Sequence, residues 1–177
     1  MWPMLTRTLQ LVTAGQVQAA LLKALEEPLQ TQLGVVVTYT KAQPSTPTYA
    51  FNKDRKQYYC DAIMRRLVPL RTGQNLLIGV TDVDLFVPDS PFVFGEADRE
   101  SKVGVVSSFR LQEGNDPEVL KRRLQLEALR LSGHLIGLSF CEEPRCMMYL
   151  PTTLADIDRK NLGMCNVCRN ELAKLNR

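Results

Sequence analysis

At 177 residues, 45% hydrophobic and 23% charged, the chain has the make-up of one globular domain, or one domain with a small appendage, long enough to bury about 70% of its unfolded surface. Its 22 basic and 19 acidic residues give a net charge of +3 and are interspersed, the densest basic run being Lys121-Arg122-Arg123, which excludes the clustered footprint of a nucleic-acid binder. No stretch reaches the roughly 18 consecutive apolar residues of a membrane span, and "MWPMLTRTLQLV" lacks the apolar region and cleavage site of a signal peptide, so a cytoplasmic location is expected.

From Gln16 the apolar residues Val17, Ala20, Leu21, Ala24 and Leu25 recur at helical spacing, with Pro28 limiting the run. The β-branched "GVVVTYT" (Gly34 to Thr40) predicts a strand, and "KAQPSTPTY" a loop. Tyr59, Ile63 and Leu67, four apart with Cys60 and Met64 beside them, predict a second amphipathic helix ending before Pro69. "NLLIGVTDVDLF" opens as the continuous apolar run of a strand covered on both faces, central in its sheet. Phe92 to Gly95 and Val103 to Phe109 read as two strands joined by polar Ala97 to Lys102, forming an antiparallel edge. Asp116-Pro117 is a helix start signal, and Leu120, Leu124, Ala128, Leu131, Leu135 and Leu138 then predict a long amphipathic helix that Gly137 terminates. The remainder, Leu138 to Arg177, has few apolar residues for a core of its own, so the chain divides into residues 1–137 and a C-terminal subdomain, 138–177.

That last segment holds four of the five cysteines. Cys141 and Cys146 are spaced C-x4-C, Cys165 and Cys168 C-x2-C, and the eighteen residues between the pairs let the chain return to close one tetrahedron of thiolates. Two disulfides or four free thiols are the competing readings, and a reducing compartment favours zinc over both. Four thiolates leave no open coordination position, so the expected cofactor is one structural zinc ion. The fifth cysteine, Cys60, between apolar helix neighbours, reads as a small core residue. Asp82 and Asp84 read as strand-end structural aspartates; counted from Asp82 as a calcium loop, the sixth and twelfth positions are Val87 and Val93 where glycine and glutamate are needed.

The cysteine set, together with "GHLIGLSFC", "VTDVDLFVPDSPFVFGEA", "VGVVSSFRL" and "LADIDRKNLGMCNVC", resembles the archaemetzincins, a metzincin-type zinc metallopeptidase family, from about Thr38 onward. Their signature is HExxHxxGxxHC, then four residues and a cysteine, a Met two residues on, and a C-x-x-C. On that pattern His134 takes the second histidine, Gly137 the glycine, Met148 the Met-turn residue, and Cys141, Cys146, Cys165 and Cys168 the thiols. The resemblance implies an α+β, metzincin-like fold: a twisted mixed sheet with helices, a long central active-site helix from Pro117 to Gly137, and a small zinc-tied C-terminal lobe. It also implies a cleft between the Phe92, Val93, Phe94, Gly95 edge strand and the His134 helix end, to which a peptide adds as a strand.

The chemistry departs from the pattern. Arg130 stands at the first zinc histidine, Leu131 at the catalytic glutamate and Phe140 at the third histidine, so one ligand of three survives, and His134 is the chain's only histidine. Neither the i, i+4 histidine grip nor the general base can operate. The expectation is a monomeric homologue that lacks activity, keeps its structural zinc, and offers its cleft to a peptide or protein segment, with Arg130 free to hold a carboxylate. The alternatives are an active zinc peptidase with an atypical ligand set around His134, and a zinc-ribbon-like adaptor, which the lobe's lack of interleaved basic and aromatic residues disfavours.

Overall fold

The computed structural model describes residues 6–177. Strand β1 (Thr8–Ala14) is followed by helices α1 (Ala19–Lys23) and α2 (Glu26–Leu33), strand β2 (Val36–Tyr39), the short strands β3 (Phe51–Asn52) and β4 (Gln57–Tyr59), and helix α3 (Cys60–Leu67). Then come β5 (Leu76–Thr81), β6 (Leu85–Phe86), β7 (Gly95–Asp98), β8 (Val103–Ser107), and helices α4 (Pro117–Ile136), α5 (Leu154–Asp158) and α6 (Asn166–Leu175). The main sheet has the order β2-β1-β5-β8-β7; its strands are parallel except β7, which runs antiparallel to β8 at the edge. A second small sheet has the order β3-β4-β6. The fold is therefore α+β around a mixed sheet, as expected, with β5 at its centre.

Alternation along the strands sends side chains into two cores. Leu9, Leu11, Ile78, Val80 and Val106 meet α2 and α4 on one face, while Val12, Leu77, Val103 and Val105 meet α3 and the small sheet on the other. Both faces being covered, the parallel strand β5 is buried along its whole length. Leu138, Met147, Met148, Ile157, Met164 and Leu172 from the C-terminal segment belong to the same core as α4, so this segment packs on the helix and has no separate interior. Arg123 on α4 grips Asp158 at the end of α5 with two hydrogen bonds of 2.8 and 2.9 Å, fastening the segment further.

Four local expectations are corrected. The helix expected from Gln16 is two helices, broken at Ala24–Leu25; Pro28 lies in the first turn of α2, where its lacking N–H leaves no bond unmade. The run Asn75 to Phe86 divides at a turn, β5 staying in the main sheet and β6 joining the small one. β8 ends at Ser107, not Phe109. The edge strand is Gly95–Asp98, sharing only Gly95 with the segment Phe92–Gly95: the Val93 N–H donates to the Leu85 carbonyl at 3.1 Å, drawing that stretch toward β6, while Glu96 pairs with Val105 and Asp98 with Val103. Charged residues on an exposed edge discourage uncontrolled strand pairing, a tertiary reason for a sequence of weak strand propensity to sit there. Strand β1 and the β3–β4 hairpin are additions to the expected elements. Among the described residues no helix is long and apolar enough to cross a membrane.

Helix α4 is the spine of the molecule and its ends are built as the sequence indicates. The Asp116 carboxylate accepts from the Glu118 and Val119 N–H groups, and Pro117 occupies the first helical position. At the other end Gly137 has φ +129°, and the N–H groups of Gly137 and Leu138 both return to the Gly133 carbonyl, at 3.2 and 2.9 Å. Replacing Asp116 by Ala should therefore lower stability by about 1 kcal/mol, read from urea unfolding, with no change in the unfolding slope.

Candidate functional site

The C-terminal half of α4 turns a row of residues toward the β7 edge and the segment that follows Gly137. Gly133 is required there: a Cβ on it would stand 2.6 Å from the sulfur of Met148, which is fully buried beneath the helix. Met148 thus lies buried against α4 at Gly133. Leu131 is 1% exposed and lies over Gly95 of β7, whose Cβ would meet it at 2.6 Å.

Arg130 is buried and committed. Its Nη2 donates to Glu127 at 2.7 Å and its Nε at 3.3 Å, and Glu127 itself is fully buried. Lys160, also fully buried, places its ammonium 3.8 Å from the same carboxylate and donates to the Met147 carbonyl at 3.2 Å. Burial pushes the Lys160 amine down to about 8, with the Glu127 charge opposing the shift. The expectation that Arg130 is free to receive a carboxylate in the cleft is therefore corrected: an internal carboxylate already holds it.

His134 and Phe140 come together. Their rings stack at 5.1 Å with 6° between planes, Phe140 remaining 51% exposed. Arg99, just beyond the end of β7, donates to the carbonyls of His134 (2.7 Å) and Leu138 (2.6 Å), neutralising the carbonyl end of α4, and its Nη2 lies 3.4 Å from His134 Nδ1. Burial and then the Arg99 and Arg130 charges lower the His134 pKa, so the imidazole is uncharged at neutral pH. The residues that the resemblance sets at the second and third histidine positions are thus neighbours, with cations at the flanks. Those residues do not fit a catalytic zinc: among the described residues, no group of three or more histidine, cysteine, aspartate or glutamate ligands includes His134.

The four clustered cysteines do fit a metal. The Sγ atoms of Cys141, Cys146, Cys165 and Cys168 all lie within 4.8 Å of one another, Cys141 and Cys165 being 3.6 Å apart. A tetrahedron with Zn–S bonds of about 2.3 Å needs sulfurs about 3.8 Å apart, so little movement closes the set. Backbone N–H groups point at the sulfurs: Glu143 to Cys141 (3.4 Å), Met148 to Cys146 (3.5 Å) and Cys165 to Cys146 (3.4 Å). Cys165 stands at the N-terminal boundary of α6 without a side-chain capping bond, and Cys168 lies in its first turn, where burial raises its thiol. Burial alone raises the Cys165 thiol, but the Cys168 N–H and the adjoining sulfurs bring it down to about 7.

The remaining sequence candidates have structural partners. Asp84 receives Arg110 through two hydrogen bonds of 2.7 and 2.9 Å, and Asp82 accepts the Gln16 N–H at 3.2 Å. Cys60 is fully buried, and that burial raises its thiol pKa. The sequence reading left out Glu127, Lys160 and Arg99. Glu127 stands three residues before Arg130 in "LEALRL", a pairing distance on a helix that was the available signal; nothing near Lys160 or Arg99 marks them.

With this arrangement in view, the similarity to known proteins is specific. The sequence model of Peptidase family M54 matches residues 31–174. The chain belongs to peptidase family M54. It is similar to the archaemetzincin of Methanocaldococcus jannaschii, 33% identical over 163 residues that cover 89% of this chain and 88% of that one. The crystal structure of the Methanopyrus kandleri archaemetzincin superposes with a TM-score of 0.86 at 30% identity, covering 96% of this chain and 95% of the other. A zinc-dependent peptidase from Methanocorpusculum labreanum superposes with a TM-score of 0.81 at 28% identity, covering 93% and 99%. The M54 fold thus covers most of the chain, and Arg130, Leu131 and Phe140 stand where the resemblance implies the first histidine, the glutamate and the third histidine.

Removing one member of a buried ion pair leaves its partner charged and unmatched. Here Glu127→Leu, which would leave buried Arg130 and Lys160 with no carboxylate between them, should lower stability by roughly 3–5 kcal/mol in urea unfolding, and by more than Arg130→Leu, after which Glu127 still faces Lys160.

Proposed function

We propose that this M54 chain is a non-catalytic member of the family that retains one structural zinc on Cys141, Cys146, Cys165 and Cys168 and uses the cleft beside β7 to hold a peptide or protein segment. The observation that carries the reading is the commitment of Arg130 and Leu131: one side chain is locked in a buried charge cluster, the other packed onto β7, where a peptidase needs a metal-binding imidazole and a carboxylate base. Zinc held by the four thiolates would have no open position, so its contribution is to fix α6 and the loop containing Met148. No hydrolytic step is assigned to it.

Peptide binding is supported by the sheet topology. β7 is the terminal strand of the main sheet, the place where an extended segment can add, with the Ala97 N–H at present donating to the Glu96 carboxylate at 3.3 Å. Arg99 and the exposed face of Phe140 flank the same end of α4 and supply an aromatic and cationic rim. The protein is proposed to act as a monomer in the cytoplasm, where reducing conditions keep the thiols available to metal. An active peptidase built around His134 is disfavoured by its stacking on Phe140 and the guanidinium at Nδ1.

Metal analysis after dialysis should give one zinc per chain, and peptide libraries should show no cleavage with zinc added; two retained equivalents, or turnover abolished by a chelator and by His134→Ala, would overturn the proposal. Cys168→Ser should expose the segment after Gly137 to proteolysis, because structural zinc contributes about 10–16 kcal/mol of apparent binding energy in small modules.

A complementary outcome is expected for the triple change Arg130→His, Leu131→Glu and Phe140→His. Phe140 is half exposed and its loss is tolerable, whereas Leu131 is buried and Arg130 balances Glu127, so the variant should bind a second zinc with reduced thermal stability. A folded variant holding only one zinc would show that the cleft no longer has the peptidase geometry.

A further inference from the structure

At the end of α4 opposite His134, about 30 Å away along the helix, the carboxyl ends of β1, β5 and β8 surround a separate crevice. The strand order explains why it opens. From β1 the chain crosses to β2 on one side, while β5 lies on the other, so the loops leaving β1 and β5 diverge; in open parallel sheets this divergence is where ligands settle. The crevice encloses about 440 Å³, within the range of small-molecule sites.

Its walls have a definite chemistry. Asp82 follows β5 and Asp116 caps α4, and each uses one carboxylate oxygen on backbone N–H groups: Asp82 on Gln16 at 3.2 Å, Asp116 on Glu118 at 2.9 Å and Val119 at 3.4 Å. Among the described residues no protein donor reaches the other oxygen of half-buried Asp82 or exposed Asp116, and the solvent-exposed side-chain amides of Gln18, Gln112 and Asn115, at the open face of the same space, have no protein hydrogen bond. No lysine, arginine or histidine is among the lining residues, and Val17, Leu21 and Leu120 form an apolar side. Of the lining residues Asn115 has a positive φ (+55°), and Gly15 (+115°) turns the chain out of β1 just before Gln16. Gly15 passes so close to Asp82 that a Cβ would stand 2.4 Å from its carboxylate oxygen.

We infer that this crevice is a binding site for a small uncharged polyol of the nucleoside class. A carboxylate accepts two vicinal hydroxyls at once, which suits the open oxygen of Asp82 to a ribose; the amides offer both donors and acceptors to a base edge; Leu21 and Leu120 cover the base. Phosphorylated ligands are excluded, because a phosphate would face two carboxylates with no cation to offset it. The site is separate from the cleft and from the cysteine cluster.

The test is a titration of the zinc-loaded, full-length protein with adenosine, uridine and AMP, followed by calorimetry and by protein NMR. Saturable one-to-one binding of a nucleoside, at least tenfold weaker binding of AMP, and at least a tenfold loss in Asp82→Asn are expected. Gln112→Ala, at an exposed position, provides a second variant and should weaken binding without altering thermal stability. Absence of saturation by either nucleoside up to about 10 mM would overturn the proposal. So would AMP binding as tightly as adenosine, or binding that neither variant changes.

Discussion

A single buried carboxylate, Glu127, determines how the C-terminal third of the molecule meets the rest. It is held by Arg130 from its own helix and by Lys160 from the segment beyond α5, and Lys160 in turn reaches the carbonyl of Met147 beside Met148. A charge withdrawn this far from water is tolerable only when its partners are fixed, so the three side chains constrain one another and, through them, α4, the loop carrying Cys146 and the turn before Cys165. Arg122 adds a hydrogen bond from α4 to the Lys160 carbonyl, on the same stretch of chain. The metal ligands and the helix are thereby joined by charge as well as by apolar contact.

The same network explains how the M54 fold accommodates a buried arginine and leucine at positions 130 and 131. The fold needs Gly133 to admit Met148, Gly137 to turn the chain, and the cysteines to gather at the start of α6; none of these depends on what occupies positions 130, 131 and 140. Leu131 gains by burial against β7, and Arg130 is offset by Glu127, so both replacements are compatible with a well-packed interior.

Much of this was legible in the sequence where the signal was local or chemical. The cysteine spacings, the Asp116-Pro117 start, the Gly137 stop and the apolar run of β5 each state their structure within a few residues. Other features depend on distant partners. β7 contains Glu96 and Asp98, poor strand formers that lie on the sheet only because β8 offers them an edge, and the expected strand three residues earlier was the more hydrophobic text. β1 reads as a strand mainly because β2 and β5 enclose it. Lys160 looks like a surface residue in sequence, and its burial follows from a carboxylate more than thirty positions away.

Positions 130 and 140 differ in what a change there would disturb: the Phe140 ring is half exposed and lies flat on His134, whereas Arg130 is buried against Glu127. A lineage gaining histidines at both positions would have to give up the arginine and leave Glu127 with Lys160 alone. The surface aromatic can vary freely and the buried cation cannot, so position 130 acts as a ratchet and the interior charge cluster as its pawl.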